Sequence, residues 1–219
     1  MRTVHAVYPA RRRQLGAPNG RHDTSAVEAG ARLIRAFEPS AIPRILQTAD
    51  YARRALAEVI TLNGLPDDGE EAVGLEMLRQ QRLYDPGKRF EFVIGEPALR
   101  SQSCPSPVMR AQLDLVRALS NLETMEVSVL PTGAKLPFVP LHGFWLFDEE
   151  LVSVETLAIE VQVRDPQEIA LYVQVFGRLK AAARVGAAAR ALLTRIIEDW
   201  RCLEDQDSAV MNDRAVAER

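Results

Sequence analysis

Phe90-Glu91-Phe92-Val93-Ile94, closed by Gly95-Glu96-Pro97, breaks the helical spacing of everything before it. A short apolar run bounded by turn residues reads as a buried strand. Shortly after it, Ser106-Pro107 offers a cap followed by proline at the first helical position, and Met109, Leu113, Val116, Leu119 and Leu122 continue at helical spacing. Met125–Leu130 then alternates as another strand and stops at Pro131. A helix embedded between strands, with helical patterns on both flanks, predicts an α+β fold.

Working outward, Ser25-Ala26-Val27-Glu28 has capping-box form, and Val27, Leu33, Ile34 and Phe37 predict a helix ending before Pro39. Thr48 is an N-cap candidate for a second helix carrying Tyr51, Ala55, Leu56, Val59 and Ile60 on one side. After a break at 64–69, a third helix is expected over 70–84, stopped by Asp85-Pro86-Gly87. Downstream, strands are expected at 143–147 and 151–155, joined by Asp148-Glu149-Glu150, with a short one at 161–163. Asp165-Pro166-Gln167-Glu168 combines an N-cap, proline at N1 and an acid at N3, and opens a helix bearing Ile169, Tyr172, Val173, Phe176 and Leu179. An Ala- and Leu-rich helix over 187–202, with Trp200 on its inner side, follows. The expected architecture is N-terminal helices, a small and mostly antiparallel sheet with an embedded helix, and a C-terminal helical hairpin. In domain terms this is a flexible basic arm at 1–24, a single α+β domain at 25–203 and a disordered tail at 204–219.

The 219 residues are 47% hydrophobic and 26% charged with a net charge of −3, a composition that buries a core and carries no general signal for nucleic acid. Arg11-Arg12-Arg13 in the arm is the exception: it reads as a phosphate-contacting tail or as a solvated terminus. No apolar run approaches the ~18–20 residues of a membrane span, and no secretory leader opens the chain. Cys104 and Cys202 are too few for a disulfide framework, so a cytoplasmic setting is expected.

GxGxxG, GxxxxGK[ST], HExxH and GxSxG are all absent, so no cofactor is expected. With His5, His22 and His142 the complete histidine set, no metal site is expected either. His142, between a proline-rich loop and a strand, suits a general base or an anion contact, and equally a histidine bonded to backbone carbonyls. Glu96 and Glu155 each end an apolar strand, where a carboxylate can face a cavity or simply pair with an arginine. Cys104 precedes a helix N-terminus, a position that can activate a thiol; a plain half-buried cysteine fits as well. Trp145, Phe144, Phe147, Phe138 and Trp200 line either an apolar pocket or the core.

Ile42-Pro43-Arg44-Ile45-Leu46-Gln47-Thr48-Ala49-Asp50-Tyr51-Ala52-Arg53 resembles the I-P-G-L-L-Q-T-x-x-Y-A-R segment in the C-terminal domain of actinobacterial XRE-type helix-turn-helix regulators, the Scr-type, antitoxin-like group. Further resemblances follow in the same order: Arg79-Gln80-Gln81-Arg82-Leu83, Phe92 through Arg100, Met109-Arg110-Ala111-Gln112-Leu113 and Val127-Ser128-Val129-Leu130-Pro131. Gly143-Phe144, Val154-Glu155 and Asp165-Pro166 complete a series spanning about 27 to 197. Arg44 stands where that family has a turn glycine, and Gly95 replaces its acid before Glu96. Members carry a helix-turn-helix domain ahead of this region, whereas a short arm precedes it here, so DNA binding by that route is expected to be lost.

The resemblance implies a regulatory domain binding a small-molecule effector or a protein partner, compatible with a homodimer, with Gln47, Tyr51, Glu96, His142, Trp145 and Glu155 as candidate ligand contacts. The alternative is an enzyme of specialised metabolism on the same scaffold, acting on a tRNA-linked or small polar substrate. His142, Glu96 and Glu155, with Cys104 or Tyr51, would then supply acid, base or nucleophile. A third reading is a nucleic-acid contact through Arg2, Arg11–Arg13, Arg21, Arg53 and Arg54. A cavity joining Glu96, His142 and Glu155 would favour the enzyme; separate satisfaction of each would favour the binding domain.

Overall fold

The structure is a computed structural model describing residues 5–7, 22–63, 69–156 and 160–217. Arg2, Arg11–Arg13 and Arg21 lie outside the described residues. A seven-stranded mixed sheet forms the centre, from β1 (His5–Val7), β2 (Leu33–Glu38), β3 (Arg89–Gly95), β4 (Met125–Leu130), β5 (Phe144–Phe147), β6 (Leu151–Glu155) and β7 (Glu160–Val163). The strand order is β1-β7-β6-β5-β2-β3-β4. β2, β3 and β4 run parallel to one another, and the remaining neighbours pair antiparallel. The fold is α+β.

Parallel neighbours need crossover connections. Two cross over between β2 and β4: α2 (Ala49–Asn63) and α3 (Gly69–Gln80), then α4 (Glu96–Arg100) and α5 (Ser106–Leu119). Side chains alternate along each strand, so the sheet builds two cores. Ile34, Phe90, Phe92, Ile94 and Val127 join Met109, Leu113 and Val116 of α5 on one face. Phe37, Val93, Leu130, Phe144 and Val152 form the other.

The first expected helix is corrected. α1 (His22–Gly30) ends early, and β2 occupies what the spacing assigned to its second half. Ile34, Arg35, Ala36 and Phe37 are all buried, because a strand central to the sheet is covered on both faces and its run of apolar residues fits helix and strand periods alike. Asp148, held at φ 49° in the β5–β6 turn, accepts the backbone N–H of Leu33 at 2.7 Å and fixes the start of β2. Aspartate is one of the few side chains that tolerate that conformation.

The expected C-terminal hairpin is corrected too. α6 (Pro166–Ala182) buries Ile169, Phe176 and Leu179 in the core containing Phe37 and Phe144. α7 (Gly186–Ala217) buries Leu193, Ile196, Ile197 and Trp200 beside α5, on the opposite face. Between them the chain rounds the outer edge of β4, where Arg184 and Val129 exchange backbone hydrogen bonds of 2.7 and 2.9 Å. Gly186, at φ +53°, turns the chain into α7, a conformation that favours glycine. Asp165 caps α6 as its sequence predicts, accepting from the amides of Gln167 and Glu168. α7 continues through Ala217, where the composition predicts a frayed tail; no Gly or Pro interrupts 205–217. Likewise β1 pairs with β7 from within the stretch expected to be an arm.

Candidate functional site

The segment 131–143 links β4 to β5 without regular structure and carries Pro131, Pro137 and Pro140. Prolines remove backbone donors and stiffen such a segment. Its Leu136 and Phe138 are half-buried against the α6-side core, whereas Val139 and Leu141 remain 78% and 87% exposed. α6 opposes it with Leu171, Tyr172, Val175 and Leu179, one helical stripe. Between the two lies a cleft of about 240 Å³, floored by Phe37 and Phe144.

Aromatic rings set the shape of this cleft. Phe144 meets Tyr172 edge-on, with centroids 5.0 Å apart at 66°. Phe37 and Phe144 lie 6.0 Å apart, and the His142 ring is 6.0 Å from Tyr172. Both separations fall in the range of favourable aromatic pairs. His142 Nδ1 is 2.9 Å from the Gly143 carbonyl oxygen. Burial, with the Glu168 carboxylate adding to it, pushes the Tyr172 phenol above its usual value. The phenol therefore stays protonated at neutral pH and remains able to donate.

A second, polar cluster occupies the other face of β2 and β5. Trp145 Nε1–H donates to Glu38 Oε1 at 2.9 Å, and the Arg79 guanidinium sits 5.6 Å above the Trp145 ring. A Cβ at position 143 would fall 2.6 Å from Glu38 Oε2, so Gly143 makes room for that carboxyl. Burial raises Glu38 above the ordinary carboxylate range, against the Trp145 bond and the nearby Arg44 charge, both of which lower it. A carboxyl raised in the fold favours the folded state most below its unfolded value, and that stability is lost as pH rises through the folded value. Glu38→Gln removes the loss and keeps an oxygen for Trp145. The variant is expected to melt about 2 °C above wild type near neutral pH. That advantage should vanish near pH ~4, where an ordinary carboxyl also carries its proton. A lower melting temperature than wild type at neutral pH would refute this assignment.

Gln47 and Tyr51 do not line the cleft. Gln47 is buried and donates to the Ile42 carbonyl at 2.8 Å. Gln80 donates to the carbonyls of Ile45 and Gln47, and Gln112 brackets the same loop through Leu46 and Thr48. Thr48 Oγ1 accepts the Tyr51 amide at 3.2 Å, which is the expected N-cap of α2. Tyr51 is buried, and burial raises its phenol. Burial also pushes the Cys104 thiol up, the direction opposite to activation.

Glu96, His142 and Glu155 each have a partner of their own. Burial opposes ionisation of Glu96, yet its bonds to Arg100 and to the Thr132 amide hold its carboxyl below the usual range. Through Thr132 it tethers the start of the cleft-forming segment. Glu155 pairs with Arg44, and His142 with the Gly143 carbonyl. Of the expected aromatics, Phe138 and Phe144 line the cleft, while Phe147, Trp145 and Trp200 belong to the opposite face. Glu38, Tyr172 and Leu171 are absent from the sequence-based candidates. Tyr172 lies on the predicted apolar stripe of α6, and no spacing rule separates a half-buried cleft residue from core. Among the described residues, no group of three or more His, Cys, Asp or Glu side chains is placed to hold a metal ion. None of the described helices is long and apolar enough to cross a membrane.

Residues 22–195 match the family described as a Domain of unknown function (DUF5753), and the chain belongs to that family. No curated protein matches it. Among solved structures it is similar to TrmBL2, an archaeal chromatin protein with a novel mode of DNA binding, at 15% identity and a TM-score of 0.42, over 84% of this chain and 54% of that one. The chain thus spans about half the length of that protein. NucT from Helicobacter pylori aligns at 10% identity and a TM-score of 0.40, over 85% of this chain and 99% of that one. The phospholipase D family member Nuc from Salmonella typhimurium gives the same values of 10%, 0.40, 85% and 99%.

Proposed function

We propose that this DUF5753 domain is a regulatory binding module that takes an apolar small-molecule effector in the cleft between α6 and the segment 131–143. The cleft carries this reading: about 240 Å³ of space against Phe37, Phe144 and Tyr172, with Leu141, Val139 and Leu171 exposed at its rim. Concave apolar sites with few polar groups are the usual form of small-molecule pockets. Exposed large apolar side chains gathered beside one mark a surface that is covered when in use. The resemblance of the 42–53 segment and its companions to the C-terminal domain of XRE-type, antitoxin-like regulators supports a sensing role. The enzyme alternative has less behind it, because Glu96 and Glu155 are each engaged by arginine.

Indole serves as the test ligand, titrated into methyl-labelled protein and followed by NMR. Saturable shifts are expected for the methyls of Leu171, Val175 and Leu179, and Val175→Phe, which fills the cleft, should abolish them. Absence of saturable shifts, or shifts confined to the face of α5 and α7, would overturn the proposal.

A further inference from the structure

We infer that the cleft selects a one- or two-ring aromatic ligand bearing a hydrogen-bond donor, and that His142 Nε2 is the acceptor that reads it. This inference rests on the cleft being the binding site. A carbonyl oxygen can only accept, so the 2.9 Å contact to Gly143 fixes the proton of neutral His142 on Nδ1. Nε2 is then left with a lone pair and no proton. The ring stands at the mouth of the cleft, 6.0 Å from Tyr172 and 6.5 Å from Phe144. The Tyr172 hydroxyl can donate or accept and imposes no choice. His142 does impose one: a ligand presenting an acceptor meets lone pair against lone pair, and a ligand presenting a donor completes the bond.

Size narrows the class further. An apolar cavity of about 150 Å³ holds one benzene ring. The cleft, at about 240 Å³, therefore has room for a fused pair of rings. Its walls offer edges and faces of Phe37, Phe144 and Tyr172, which suit a flat aromatic body better than a branched alkyl one. The ligand class is thus a phenol, an indole or an aromatic amine.

Indole and benzofuran separate the possibilities, since they share shape and differ in an N–H donor against an oxygen acceptor. Titrations run at about pH 8. Wild-type protein should bind indole about five- to tenfold more tightly than benzofuran, the value of one partly exposed hydrogen bond. In His142→Phe, which keeps an aromatic ring at the mouth and removes the acceptor, the ratio should fall to about one or below. Equal affinities in wild-type protein, with both ligands in the cleft, would overturn the role of His142 and leave the cleft as a binding site. Failure of both ligands to bind would overturn the cleft reading and this inference with it. His142 is exposed, so the variant is expected to fold; the wild-type comparison needs no variant at all.

Discussion

Glu28→Ala is expected to cost about 3 kcal/mol of folding stability, because it removes a buried carboxylate that holds the Arg79 guanidinium, itself 24% exposed. Glu28 is 1% exposed. Its Oε1 accepts Arg79 Nε at 2.7 Å and Arg82 Nη1 at 3.1 Å, and its Oε2 pairs with Arg79 Nη2. Arg79 also reaches Glu76 at 3.3 Å and lies over the Trp145 ring. Removing Glu28 leaves Arg79 with Glu76 and the ring alone. Arg82 is a third exposed, so water compensates most of its loss and little cost is assigned to it. The consequence reaches beyond one ion pair. α1 is tied to the body here and at its C-terminal end, where Lys88 Nζ donates to the carbonyls of Glu28, Ala29 and Ala31 at 3.1, 2.8 and 2.6 Å. Urea titration should show the midpoint fall with an unchanged slope, and Glu28→Gln, which can still accept, should lie between. A loss for Glu28→Ala below about 1 kcal/mol, the typical worth of a surface pair, would mean that the cluster contributes no more than solvated charges do.

Local sequence carried the elements whose boundaries are set by neighbours in the chain. β3, β4, α5 and the capped start of α6 fall where period, proline and cap chemistry put them, because those signals act over a few residues. β2 did not, since Leu33, Ile34 and Phe37 satisfy both periods and only burial by β3 and β5 on either side decides between them. The placement of α6 and α7 was equally out of reach. An apolar stripe says that a helix buries one side, never which face of a sheet receives it, and the choice here is made at the Arg184–Val129 bridge. The site divides in the same way. His142 was marked by its loop–strand position, but its partner Tyr172 comes from another element and read as core. Glu38 gave no signal at all: a carboxyl at a strand end becomes unusual only when Trp145, more than a hundred residues later, closes over it. Gln47, a polar residue in a distinctive motif, has its side chain amide engaged within the loop, on the Ile42 carbonyl.

That loop carries the other large effect. Gln112→Leu is expected to cost about 3 kcal/mol, since each buried polar group left unpaired forfeits about 1–3 kcal/mol and Leu restores part of it through apolar burial. Gln112 is fully buried; its Nε2 donates to the Leu46 carbonyl at 2.7 Å and its Oε1 accepts the Thr48 amide at 2.7 Å. Leucine matches the shape closely enough to avoid a large cavity, so the loss isolates the two bonds. The 3₁₀ turn Arg44–Leu46 makes few backbone bonds of its own, and Thr48 must be held in place to cap α2. In a chain of this length the melting temperature should fall by about 10 °C. Gln47→Leu, which gives up one bond from a residue still 7% exposed, should fall by less than half as much. Neither substitution touches the cleft, so indole affinity at a temperature where both variants remain folded should match wild type. Were Gln47→Leu to weaken indole binding while leaving stability unchanged, the shape of this loop would have to be assigned to recognition. Were Gln112→Leu to melt within about 1 °C of wild type, the glutamine bracket would not be what orders the turn before α2.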